Sequence, residues 1–281
     1  MSQTYTQLRL DLAAALASFL DPREASAECW RWFEEGLGRD RAWMAAHGEA
    51  PVPDEVRRQL SDWVRQRKTG LPWSYILGWA PFRGRRFEVS RETLIPRPET
   101  EHAVEAALDL GRRKGVRRAA DIGTGSGILA VTLALETDWE LTATELSEGA
   151  LNVARRNAKT LGARIQFRHG DLLAPLASDF FAEGTGLVVA NLPYVDPADR
   201  GTLQRELAFE PASALFAPER GLALNEALLR QAMERGAVGC VLELGAGQGA
   251  ELAKRAKAMG WSKTRVERDL AGHDRVVVVE R

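Results

Sequence analysis

Apolar positions change their period twice along the chain. Over residues 1–70 they recur at helical spacing: Leu8, Leu12, Leu16 and Phe19, then Trp30, Phe33 and Leu37, then Trp43, then Val56, Leu60, Trp63 and Val64. Asp21-Pro22 and Pro51-Val52-Pro53-Asp54 supply the stop and restart signals between them. The pattern predicts a small bundle of short helices with an aromatic core, closed at Thr69-Gly70-Leu71-Pro72. From Tyr75 the period shortens. Phe82-Arg83-Gly84-Arg85-Arg86-Phe87-Glu88-Val89 reads as a β-hairpin, and the stiff segment Leu94-Ile95-Pro96-Arg97-Pro98-Glu99 leads into a helix through His102, Val104 and Leu108.

The remainder alternates strand and helix. Strands end at Ile122, Glu145, Phe167, Ala190 and Leu244, and helical patterns cover Ile128–Leu135, Leu151–Ala158, Ala223–Met233 and Ala250–Met259. Arg265-Val266-Glu267 and Arg275–Glu280 close the chain. This is the pattern of a doubly wound α/β sheet, with an antiparallel direction open to its last strand.

Composition narrows the picture little. The chain has 281 residues, 45% hydrophobic and 27% charged, with a net charge of −1, so no global field advertises nucleic acid as a partner. The two cysteines, Cys29 and Cys240, and the scattered histidines His47, His102, His169 and His273 have neither disulfide nor metal-ligand spacing. Arg9 and Asp11 interrupt any signal-peptide core, and no apolar run reaches membrane-spanning length. A cytoplasmic protein without a metal site is expected.

Candidate chemistry sits at the strand ends, where open α/β sheets bind ligands. Gly123-Thr124-Gly125-Ser126-Gly127 follows the first strand, Glu145 closes the second, Asp171-Leu172 follows the third, and Asn191-Leu192-Pro193-Tyr194 follows the fourth. Glycines let backbone approach a ligand, and a carboxylate on the next strand can hold two ribose hydroxyls. A dinucleotide or S-adenosylmethionine (SAM) would satisfy that pair. The Gly-x-Gly-x-Gly spacing, with Ile128 where a dinucleotide fingerprint needs glycine, favours SAM. Asp121 can accept from an ammonium, and Asp171 with Leu172 can clamp an adenine. Asn191-x-Pro193-Tyr194 can be a plain strand-to-loop break. It is also suited to a planar amide or aryl amine, because the Asn oxygen and a backbone carbonyl each accept one N–H while the Tyr ring stacks.

Together these stretches resemble the release factor glutamine N5-methyltransferases, the HemK/PrmC family. The carriers are Tyr75-Ile76-Leu77-Gly78, Phe82-x-Gly84, Leu94 to Glu101, Asp121 to Gly127, Asn191-x-Pro193-Tyr194, Phe209-Glu210-Pro211 and Ala271-Gly272-His273-Asp274-Arg275. The resemblance covers Gly70 to the C-terminus; the N-terminal region agrees in kind. Two positions depart from it: Leu192 stands where the family usually has Pro, and Phe216-Ala217-Pro218 replaces a small-residue start before Gly221-Leu222. Asn-Leu-Pro-Tyr is also similar to the motif of rRNA adenine N6-methyltransferases.

The resemblance implies a seven-stranded Rossmann-like SAM methyltransferase domain over 99–281, a helical bundle for partner recognition over 1–70, and a β-hairpin linker over 71–98. It implies SAM held by Asp121, Gly123, Thr124, Gly125, Ser126, Gly127, Glu145, Leu146, Asp171, Leu172 and Asn191. Catalysis falls to Asn191, Pro193 and Tyr194, with Leu192, Phe82 and Glu99 on the substrate side. The substrate implied is the Gly-Gly-Gln glutamine of class I peptide chain release factors, modified by a monomer with no stable nucleic-acid partner and no membrane. Two rivals are a nucleic-acid amino-methyltransferase, which needs a basic aromatic-lined face, and a SAM-binding regulator without turnover.

Overall fold

The computed structural model describes residues 3–182 and 184–281, and their contacts separate into two units, Met1–Leu77 and Gly78–Arg281. In the first unit, helices start where the sequence supplies a cap. Thr4 accepts from Gln7 N at 3.3 Å and opens α1 (Tyr5–Ala17). Asp21, with Pro22 in the first turn, opens α2 (Pro22–Arg31), and Asp40 opens α3 (Arg41–His47). Next, α4 (Asp54–Lys68) carries acids in its first turn and bases in its last, complementing the helix dipole, and α5 (Trp73–Leu77) follows. The sequence pattern predicts one continuous helix through Trp30, Phe33 and Leu37. Instead α2 gives way to a π-helical turn at Trp32–Gly36, and the consecutive rings of Trp32 and Phe33 are both fully buried. Trp32 stacks on Trp73 with centroids 4.7 Å apart, and Trp63 meets both edge-on at 5.9 and 5.1 Å. Beneath them Arg67 grips Glu28 with bonds of 2.6 and 3.1 Å, a buried ion pair.

The second unit begins with the antiparallel hairpin of β1 (Trp79–Phe82) and β2 (Arg85–Glu88). Its two-residue turn, Arg83-Gly84, has φ of 46° and 72°, the left-handed pair that matches strand twist. A seven-stranded sheet follows, in the order β5-β4-β3-β6-β7-β9-β8. Its strands are β3 (Arg118–Ile122), β4 (Glu140–Glu145), β5 (Ile165–His169), β6 (Gly186–Ala190), β7 (Gly239–Glu243), β8 (Lys263–Arg268) and β9 (Asp274–Glu280). All run parallel except β9, which is antiparallel to both its neighbours.

Two central strands, β6 and β7, are buried from end to end, as their unbroken apolar sequences require. In β6 alternate residues serve opposite cores. Leu187 and Val189 pack with α6 (Thr100–Lys114) and α7 (Ile128–Glu136), while Val188 and Ala190 pack with α10 (Ala223–Arg235) and α11 (Gly249–Ala258). α8 (Glu148–Leu161), capped by Ser147, lies on the α7 side. A short α9 (Ala212–Leu215) interrupts the polar stretch after β6. The chain winds outward from β3 through β4 to β5, then returns to place β6 on the other flank of β3. The switch point therefore falls between β3 and β6, whose last residues, Ile122 and Ala190, are paired in register.

Candidate active site

Two loops leave that switch point side by side. The first, Gly123 to Gly127, is pinned to β4, with Gly123 N and Thr124 N both donating to the Thr144 carbonyl at 2.9 and 3.0 Å. Asp121, just before it, is buried. Its Oδ2 accepts from the Thr124 hydroxyl at 2.6 Å and from Ala130 N in the first turn of α7 at 3.0 Å. The other oxygen, Oδ1, is buried without a protein partner. Burial pushes this carboxyl up to about 7, although the Thr124 and Ala130 bonds pull the other way. Glu145 is arranged differently: Oε2 accepts from Gly125 N and Oε1 from Ser147 N, each at 2.9 Å. Each carboxylate oxygen has more than one acceptor site, so this fixes the group and leaves both oxygens able to accept from a ligand.

A cavity of about 350 Å³ opens over these groups. Gly123, Gly125 and Glu145 form its floor with Asn191, Leu192 and Pro193; Leu146, Asp171 and Leu172 line it as well. Leu146 is 65% exposed, a large apolar side chain with little protein cover. A smaller recess of about 40 Å³ shares Gly123, Gly125 and Asn191 and adds Asp121, Thr124 and Ser126. Gly127 reaches neither space: a Cβ there would lie 3.2 Å from that of Ala154, so this glycine sets the packing of α7 on α8.

The second loop is Asn191 to Tyr194. Asn191 Nδ2 donates to the hydroxyl of Thr100, the first residue of α6, at 3.2 Å. That commitment leaves the oxygen of the same amide for a ligand. Leu192 turns into the core beneath the glycine loop, and its Cδ2 would lie 2.7 Å from a Cβ on residue 123. The Tyr194 hydroxyl reaches Glu243 Oε1 at 3.4 Å, and its carbonyl accepts from Gln248 Nε2 at 2.8 Å. Burial raises the Tyr194 phenol, with the nearby Glu243 charge adding to it, so the ring carries a proton at any working pH. Gly221 closes over this loop. A Cβ on it would fall 1.8 Å from the Tyr194 oxygen, which accounts for the Gly-Leu pair surviving in an otherwise altered segment. A second cavity of about 440 Å³ lies beyond Tyr194, walled by Asp196, Arg220 and Gln248.

Glu99 stands at the N-terminus of α6, and its charge acts on both Glu243 and Arg275 beside Tyr194. Phe82 is not brought to either cavity. It is 3% exposed and packs edge-on against Phe87 in the core under α6, because an aromatic flanking a tight hairpin turn is covered by its own partner strand. Several residues outside the expected set of site residues organise the site. Thr100 and Glu243 hold the Asn-x-Pro-Tyr side chains. Asn157 ties the glycine loop to the hairpin through Ser126 O and Glu88 N at 2.8 and 2.7 Å. Glu210 accepts from Ile95 N at 3.0 Å and pairs with Arg97, joining the Leu94–Pro98 segment to the wall formed by Ser213 and Ala214.

These features fit SAM. The unpartnered Asp121 oxygen faces the need of an ammonium, and the two Glu145 oxygens suit a ribose diol. The apolar faces of Leu146 and Leu172, with Asp171 at the rim, suit an aminated purine. Fold and site together define a SAM-dependent methyltransferase.

Comparison with known proteins carries this further. Residues 119–208 match the family model described as a methyltransferase domain, and residues 11–78 match the PrmC N-terminal domain. The release factor glutamine methyltransferase of Enterococcus faecalis is 38% identical over 253 residues, covering 88% of this chain and 90% of that protein. Those of Neisseria gonorrhoeae and Bordetella pertussis are 40% and 38% identical, covering 85% and 91% of this chain and 87% and 95% of theirs. Among solved structures, the human METTL16 catalytic domain in complex with the MAT2A 3′UTR hairpin 1 superposes with a TM-score of 0.59 at 17% identity, over 96% of this chain and 90% of that one. The N-terminal domain of human METTL16 in complex with SAH gives 0.53 at 16%, over 96% and 93%. These two share the fold. The chain belongs to the release factor glutamine methyltransferase family.

Proposed function

We propose that this protein transfers the SAM methyl group to N5 of the glutamine in the Gly-Gly-Gln motif of class I peptide chain release factors. The observation that carries the reading is the Asn191 amide, held at the cavity floor with its nitrogen bound to Thr100. Its oxygen then accepts one N–H of a substrate carboxamide, and the Pro193 carbonyl accepts the other. Bound in this cavity, SAM supplies an electrophilic methyl on a sulfonium.

A carboxamide nitrogen is a weak nucleophile because its lone pair is delocalised. The work of these residues is therefore to aim it and to hold it, an effect that reaches ~7–11 kcal/mol in well-oriented systems. The two accepted hydrogen bonds strengthen as positive charge develops on that nitrogen. Tyr194, protonated and anchored, supplies an aromatic face for the amide plane, and its proton stays in place while the substrate nitrogen gives up its own after transfer. The helical region 1–70 is assigned to partner recognition, 71–98 to the hairpin link and 99–281 to catalysis, with Glu99 at the substrate side.

The test is methyl transfer from labelled SAM to a purified class I release factor, beside a variant with the Gly-Gly-Gln glutamine changed to alanine and beside ribosomal RNA. Label on the native factor and not on the variant is expected. Label on RNA alone would mean that the Asn-Leu-Pro-Tyr floor takes an aryl amine. No label anywhere, with SAM still bound, would leave a binding protein without turnover.

A further inference from the structure

Gln248 stands at the start of α11, in the turn that leaves β7, and its side chain crosses to two other segments. Nε2 donates to the Tyr194 carbonyl and to the Arg220 carbonyl, each at 2.8 Å. Oε1 accepts from Gly245 N, also at 2.8 Å. Only one orientation of the amide satisfies all three, since its nitrogen meets two acceptors and its oxygen meets a donor. One side chain thus staples together the loop after β6, the turn before α10 and the turn after β7. It lies on the wall of the cavity of about 440 Å³ and not on that of the SAM cavity.

The segments it reaches need holding. Glu219, Arg220 and Gly221 have φ of 55°, 57° and 80°, and left-handed backbone is unfavourable for the two of them that carry a Cβ. This turn presses Gly221 onto the Tyr194 carbonyl, the same oxygen to which Gln248 donates. The peptide that follows Tyr194 is then fixed at both atoms, its oxygen by Gln248 and its nitrogen, on Val195, by the Leu215 carbonyl at 2.9 Å. At the other end of the loop Asn191 is tied to Thr100. Between these anchors the Pro193 carbonyl receives no donor from the described residues. It is the acceptor that the proposed reaction assigns to the substrate amide.

Resting on the proposed function, we infer that Gln248 is a positioning residue for methyl transfer. By donating to the Tyr194 carbonyl while bracing the Arg220 turn, it sets the aim of the Pro193 carbonyl and the Tyr194 ring at the substrate amide. Its donor hydrogens do this work, and SAM binding does not depend on them. A carboxylate in the same place sets an oxygen against two carbonyl oxygens, and the loop swings away from its aim.

The experiment compares Gln248→Glu and Gln248→Met, both close to glutamine in shape, in full-length protein with labelled SAM and a purified class I release factor. At about pH 8 each is expected to lower kcat by ~10²-fold, the scale of a displacement of about 1 Å between reacting groups. Kd for SAM, read by calorimetry, stays within about three-fold, because the loss falls on the reacting geometry. Between about pH 8 and about pH 5.5 the new carboxyl of Gln248→Glu takes up a proton and regains a donor, so its kcat relative to wild type rises about five-fold or more. Gln248→Met, which has no such proton to gain, shows no recovery. Asp196, Asp199, Arg220 and Glu251, the charged groups on the same cavity wall, are present in all three proteins and cancel in the ratio. Wild-type kcat in either variant overturns the inference alone. So do SAM affinity lost in step with kcat, a Gln248→Glu ratio that stays flat with pH, or losses that follow melting temperature. A wild-type protein that does not label the release factor overturns the proposed function and this inference with it.

Discussion

Asp121 and Glu243 are carboxyls at the ends of two strands, each raised to about 7 by burial, and each keeps one oxygen without a protein partner. For Asp121 the linkage has a definite sign. Its folded value lies above that of the unfolded chain, so the folded form binds the extra proton between about pH 4 and 7. Its stabilising contribution is complete below the unfolded value and is lost as pH rises through the folded one, at about 1.4 kcal/mol per unit of pKa difference. The melting temperature of the wild type relative to Asp121→Asn should therefore fall between pH 4 and pH 8; a flat difference would place the group outside this burial. Asn191 makes a second residue-scale prediction. Asn191→Ala is expected to reduce kcat by ~10²–10³-fold while SAM affinity, read by calorimetry, moves by no more than a few fold. Equal loss of both would assign the side chain to cofactor or fold.

Segments as well as side chains explain what was legible. The strand ends, the glycine loop and Asn-x-Pro-Tyr could be read from sequence because each is local: an apolar run, then glycine or proline, then one polar group. Thr100 and Asn191 are separated by 91 positions, and Ile95 and Glu210 by 115, so no window on the sequence joins them. Glu243 did leave a trace, as a carboxylate closing the otherwise apolar Gly239–Leu242 run. Phe82 misled because an aromatic beside a glycine turn reads equally well as a channel wall or as core. Gly221 gives this scale its prediction. Gly221→Ala places a methyl 1.8 Å from the Tyr194 carbonyl in a backbone with φ of 80°, so the Asn191–Tyr194 loop must move. A loss of stability of ~1–3 kcal/mol and a kcat loss of at least ten-fold should appear together; unchanged kcat would show that this loop tolerates the shift.

At the scale of the whole molecule, every residue lining the SAM cavity, from Glu92 to Leu224, lies within the unit Gly78–Arg281. A fragment of residues 78–281 should therefore bind SAM with an affinity within a few fold of the full chain, measured by calorimetry, while losing release-factor methylation if the helical region selects the partner. Loss of SAM binding in a folded fragment would mean that the cavity depends on the other unit. The strand order itself was not readable: the pattern announces alternating strands and helices, but nothing in it places β9 between β7 and β8. None of the described helices is long and apolar enough to cross a membrane.

The contact of Glu210 with Ile95 N and Arg97 bears on time as well as shape. It joins the segment bearing Leu94 to the one bearing Ser213 and Ala214, and both segments wall the cavity. Walls fastened to each other do not breathe separately. Any exchange of fresh cofactor for spent product that needs them apart must first break the contacts of the buried Glu210 carboxylate with Ile95 N and the partly exposed Arg97, a clasp set away from the methyl group.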